Sequence, residues 1–140
     1  MGVLRCRPGP ASRVPDVVPA VPNVLFQAGR IAIGLAFVAD PERAGERWVG
    51  QGVAGADGGV LGRAFGVRDF ALGAATLAAQ GRGDGYRTLL ALGVACDAVD
   101  FAATLMAGDR IPPRARQVTA AVAAGAAVNG LLLLAASARS

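Results

Sequence analysis

Histidine is absent from this 140-residue chain, and so is lysine; all 14 basic residues are arginine. Without histidine there is no Ser-His-Asp triad, no zinc hydrolase site of the usual kind and no His-ligated haem. The two cysteines, Cys6 and Cys96, form no metal motif or disulfide framework. One falls in a polar tail and the other in an apolar run, so they are not expected to pair. Charge is also scarce, at 17% of residues, while 54% are hydrophobic and mean hydropathy is +0.47. A soluble domain of this length needs more polar surface to cover its core, so the balance points to lipid as solvent. The net charge of +4 does not point to nucleic acid. The arginines run from Arg5 to Arg139 with no compact basic face and no interleaved aromatics. Arginine without lysine, among abundant alanine and glycine, reads as a GC-rich and bacterial coding bias.

Residues 1–20 hold four prolines and three arginines but no apolar run of signal-peptide length. Leu4-Arg5-Cys6 does not resemble a lipoprotein cleavage box. This stretch is expected to be a disordered tail, or to precede the true start. The rest, 21–140, is expected to be one transmembrane domain. Four segments near the ~20 residues that a bilayer core requires follow one another at about 21–39, 62–80, 86–107 and 117–138. The second is the weakest by hydropathy because it contains Arg63, Arg68 and Asp69. Between the first two, Pro41–Gly50 reads as a short amphipathic helix ending near Trp48, an interfacial anchor. Gly50–Gly59 reads as a Gly-rich loop, without lysine or phosphate-loop spacing. The positive-inside rule does not orient the chain, since six flanking arginines fall on each side.

Helical spacing organises the polar residues of these segments. Asn23, Gln27, Arg30 and Gly34 share one face of the first. Gly62, Gly66, Asp69, Gly73, Thr76 and Gln80 share a face of the second, and Gly93, Asp97, Asp100, Thr104 and Ala107 a face of the third. The fourth offers Val118, Val122, Gly125 and Asn129. Small and polar residues in stripes, with apolar residues elsewhere, describe helices whose inner face is the polar one. The expected fold is all-α: an integral membrane four-helix bundle, antiparallel, with a short interfacial helix between spans one and two.

Charges in such spans need partners, because an unpaired Arg or Asp at a span centre costs about 2.5–3.5 kcal/mol even on lenient scales. Arg30 faces inward, within reach of Asp69, Asp97 and Asp100. Arg68 lies about 100° around its helix from Asp69 and is expected to reach across to a neighbour or snorkel outward. Two arginines against three aspartates leave one carboxylate in surplus, expected to share or bind a proton. The candidate site is therefore Arg30, Arg68, Asp69, Asp97 and Asp100, with Gln27, Thr76, Thr104 and Asn129 in support as interhelical hydrogen-bonding groups. The simplest role for the cluster is to lock helix register. That makes the chain a structural or accessory membrane protein; the alternative is a proton-linked carrier, a proton- or cation-responsive site, or a binder of a small molecule or lipid headgroup at the same cluster. The Asp97/Asp100 pair does not make a metal-dependent headgroup transferase, which needs further aspartates in a Gly-Arg context. No cofactor, metal or catalytic residue is expected. The expected partners are the bilayer of the cell membrane and a second copy of the chain or a larger membrane complex.

Spans two and three carry a faint echo, Asp69-Phe70-Ala71 with Thr76-Leu77-Ala78 against Asp100-Phe101-Ala102 with Thr104-Leu105, suggestive of duplicated hairpins. The block Arg63-Ala64-Phe65-Gly66-Val67-Arg68-Asp69-Phe70-Ala71-Leu72-Gly73, with Cys96-Asp97-Ala98-Val99-Asp100, resembles a family of small uncharacterised four-span membrane proteins of actinobacteria. In that family an R-x-x-G-x-R-D-x-x-L-G block on the second helix accompanies an aspartate pair on the third. The resemblance covers about residues 24–138. It implies a four-span topology for this chain and no particular activity; the proline-rich tail departs from the pattern.

Overall fold

The computed structural model describes residues 17–50 and 56–138, and among these every regular element is helical. The elements are α1 (Val17–Ala39), α2 (Pro41–Trp48), α3 (Ala56–Ala79), α4 (Asp84–Ala107) and α5 (Pro113–Ser137), with one 3-10 turn, Gly108–Arg110, after α4. The tail expected at 1–20 lies outside the described residues as far as residue 16. From Val17 the chain is already helical, with Pro22 inside the helix. A proline there removes one backbone donor; bilayer-buried helices tolerate this where neighbours re-satisfy the freed carbonyl.

Three of these helices contain stretches long and apolar enough to cross a membrane: Val21–Ala39, Asp84–Arg110 and Pro113–Ser137. They agree with the first, third and fourth expected segments. α3 has the length at 24 residues, but Asp57, Arg63, Arg68 and Asp69 keep it below the hydropathy of a span. It also begins earlier than expected. Ala56–Gly59, read from its glycines as loop, forms the first helical turn, with Asp57 at the positive end of the helix dipole. Residues 51–55 of that loop lie outside the described residues. α2 forms where it was anticipated: Asp40 caps it by accepting from the Arg43 backbone N–H at 3.0 Å, and Pro41 occupies the first turn.

The helices associate as two close pairs, α1 with α3 and α4 with α5. Glycine makes the first pair possible. A Cβ at Gly34 would stand 2.6 Å from Gly66 O and from the Phe70 N. One at Gly66 would stand 2.6 Å from Gly34 O, and one at Gly73 would stand 3.0 Å from Gln27 O. Backbone thus meets backbone along a seam of small residues, the way membrane helices gain packing without a hydrophobic driving force. Contacts that ascend α1 descend α3, from Asn23 against Gln80 to Phe37 against Gly62. At the α2 end, Phe37 meets Phe65 edge-on with centroids 5.0 Å apart and Trp48 at 6.4 Å.

The polar stripes of α1 and α3 face inward as anticipated. Asn23, Gln27, Arg30, Asp69 and Thr76 are all buried, while Leu25, Leu35, Val60, Leu61 and Val67 point outward. On α4, Asp97 and Thr104 are buried too. α5 departs from expectation. Its inner face is Ala120, Ala123, Gly130 and Leu133, whereas Val118 and Val122 are largely exposed. Its run of alanine, valine and glycine offers little contrast between faces, so spacing finds Asn129, whose side-chain nitrogen is buried, but not Ala120, Ala123 and Gly130.

Candidate binding cleft at the Arg–Asp cluster

The buried stripes bring all five predicted charges together. Arg30 stands at the middle residue of Val21–Ala39 and Asp97 at the middle of Asp84–Arg110. Both are thus at the centre of stretches long and apolar enough to cross a membrane. Arg30 donates through Nη2 to Asp97 Oδ2, and its Nη1 lies 3.7 Å from Asp69 Oδ1. Arg68 makes a two-pronged contact with Asp100, Nη1 to Oδ1 at 3.0 Å and Nη2 to Oδ2 at 2.5 Å. Its Nη2 also reaches Asp69 Oδ1 at 3.3 Å. Arg68 therefore crosses from α3 to α4, one of the two routes anticipated for it, and Asp100 pairs with it and not with Arg30. Each guanidinium also sits near an aromatic ring, Arg30 5.4 Å from the Phe26 centroid and Arg68 4.7 Å from that of Phe65.

Two aspartates each have a guanidinium of their own, while Asp69 takes a longer share of both through one oxygen. The fork of arginine matches a carboxylate in two parallel bonds, as at Asp100, and this geometry fixes the α3–α4 spacing as well as its charge. Taking one partner away would leave an uncompensated charge in a low-dielectric interior, the costly case for any buried pair.

The supporting polar residues divide. Gln27 donates to Asn23 Oδ1 at 3.2 Å, and Asn23 donates to Gln80 Oε1 across to α3 at 3.1 Å. Thr76 and Thr104 do not bridge helices as expected. Their hydroxyls turn back to the carbonyls of Leu72 and Asp100, each at 2.7 Å. A threonine in a helix always has that carbonyl within reach, and the local bond costs no helix docking. Among the described residues, the Asn129 side-chain nitrogen is buried without a hydrogen-bond partner, as are Arg30 Nη1, Arg68 Nε and the Thr119 hydroxyl.

Beside the cluster is a cleft of about 520 Å³. Arg30, Asp69, Asp97 and Asp100 form its charged wall. Phe26 and Ile33 of α1, Phe65 of α3, Ala103 of α4, and Thr119, Ala123 and Ala126 of α5 supply most of the remainder. Phe37, Trp48 and Val49 close it toward α2. It exists because α1 and α5 barely touch while each packs closely on another helix. The volume falls within the ~300–1,000 Å³ of small-molecule sites, and apolar walls with a few convergent polar groups are their usual lining. A second space of about 10 Å³ lies on the other side of the Arg30–Asp97 pair, walled in part by Gln27, Thr76 and Gly93; it is of the order of one water.

The charges were legible from helical spacing, but the apolar half of the cleft was not. Phe26, Ile33, Ala123 and Ala126 carry no motif, and Thr119 lies one position from the stripe chosen on α5. Among the described residues no group of His, Cys, Asp or Glu could hold a metal ion. Comparison of the chain with family models, curated proteins and solved structures finds no match to any of them.

Proposed function

We propose that this chain is a four-span bacterial membrane protein, an antiparallel bundle in the cell membrane whose Arg–Asp cluster is the polar wall of a binding site for a small amphiphile. Counting α3 as the fourth span rests on its pairing with α1. A helix whose two central charges, Arg68 and Asp69, are paired with Asp100 and Arg30, and whose other charges, Asp57 and Arg63, fall in its first eight residues, can lie in a bilayer despite its composition. The opposed order of contacts along α1 and α3 supports the antiparallel arrangement.

The observation that carries the binding reading is the cleft itself. A network serving only to lock register would be dry and closed on all sides, whereas four of the five charged groups here line about 520 Å³ of space. One specific observation favours the structural or accessory role: every member of the cluster has an ion pair within the chain. Both roles can coexist in one cluster.

Trp48, the single tryptophan, lines the cleft and reports on it directly. In nanodiscs, a ten-carbon amphiphile brominated on its chain should quench Trp48 fluorescence saturably. Ala126→Phe, which fills the cleft without touching a charge, should abolish the saturable part. Quenching that rises linearly with probe and is the same in both proteins would refute the reading.

A further inference from the structure

The cleft's charge selects among amphiphiles. Its wall carries three carboxylates, Asp69, Asp97 and Asp100, and one guanidinium, Arg30. Arg68 reaches two of those carboxylates without lining the space. Even with Arg68 counted, three carboxylates meet two guanidiniums. Asp97 and Asp100 are each matched to an arginine. Asp69 is the shared one, held by Arg30 at 3.7 Å and Arg68 at 3.3 Å through the same oxygen. The groups facing it are Arg30 from α1, its own neighbour Arg68, and Asp97 and Asp100 from α4. α2 and α5 contribute no ionisable side chain to the wall.

An uncompensated negative charge between apolar walls projects a strong field, because little solvent screens it. A proton or a positive ligand can neutralise it; an anion is repelled. An inorganic cation needs a shell of oxygen ligands, and most of this lining is hydrocarbon. An organic cation brings apolar surface to match the walls, which include Phe26, Phe37, Phe65 and Trp48.

We propose that the cleft binds a lipophilic organic cation, an ammonium group on an apolar chain or ring, in exchange for one proton. This rests on the binding reading above and names the ligand class for the same site. The ammonium lies against Asp69 and the proton that neutralised the empty site leaves to solvent. The apolar body extends between α1 and α5 past Ile33 and Val122.

Three probes sharing one brominated ten-carbon chain and ending in trimethylammonium, hydroxyl or carboxylate test this by Trp48 quenching. Nanodiscs of phosphatidylcholine alone avoid concentrating cations at a charged surface. The ammonium probe should bind at least about tenfold tighter than the alcohol. Its affinity should rise with pH, by about tenfold per unit while the empty site holds its proton. Asp69→Asn should bring the ammonium probe down to the alcohol's affinity and flatten the pH response. Saturable binding that favours the alcohol or the carboxylate, or an ammonium affinity independent of pH, would overturn the inference and leave a binding cleft. Absence of saturable quenching by all three would overturn the binding reading itself. Should Asp69→Asn not assemble, the ranking and pH slope of the wild-type protein decide the matter.

Discussion

α1 presents two unlike surfaces to its neighbours. Toward α3 it offers Gly34, Arg30, Gln27 and Asn23, and the backbones close until a single added methyl would collide. Toward α5 it offers Gly29, Ile33 and Phe26, and there the helices stand apart around a cleft. Gly29 has nothing within 4 Å of where its Cβ would lie. The contrast between two glycines five residues apart on one helix shows that small residues do not by themselves make a seam. A small residue on the facing helix, in register, is also required. Where α5 supplies no such match, space remains, and the charged residues that stabilise the seam become one wall of it.

Asp97 stands where seam and cleft meet, so its removal should break the comparison most severely. Asp97→Ala leaves Arg30 without its closest carboxylate in a buried site and should cost about 3–5 kcal/mol, read as loss of folded protein on thermal unfolding in detergent. Gly34→Ala attacks the seam alone. Its Cβ would meet backbone atoms of Gly66 and Phe70, which cannot rotate away, so a loss of about 1–3 kcal/mol is expected in the same assay. Thr104→Val should cost less than about 1 kcal/mol, because the hydroxyl bonds its own helix and holds no neighbour. Gly29→Ala should be neutral, or stabilising by up to about 1 kcal/mol through helix propensity, because the cleft accepts the methyl. Equal penalties for the Gly34 and Gly29 variants would erase the distinction between seam and cleft.

Much of this was legible in the primary structure, for a physical reason. A charge or amide inside an apolar helix must face protein, so Arg30, Asp69, Asp97 and Gln27 mark their own inner faces. α5 has Asn129 in the middle of its run and only the hydroxyl of Thr119, near its start, as a second marker. Its true inner face, Ala120, Ala123 and Gly130, is set by Val94 closing on Gly130 and by the shape of α4, which no local pattern encodes. The start of α3 is not legible because Gly58 and Gly59 resemble a loop, while in the structure Gly59 is helical beside Pro41 of α2. The cleft was invisible because it depends on two helices not touching, a property of the assembled pairs. Thr76 and Thr104 were read as bridges because spacing fixes which face a hydroxyl occupies but not which acceptor it takes.

The central claim is that a carboxylate in excess of its arginines lies open to the cleft. A membrane-permeant carbodiimide tests this most directly, since it modifies a protonated carboxyl it can reach and spares one matched by a guanidinium of its own. Mass spectrometry of the labelled protein should find modification concentrated at Asp69, suppressed when the cleft is saturated with a decyl ammonium compound. Modification absent from the whole cluster at every pH tested, or unchanged by the ammonium compound, would contradict the account.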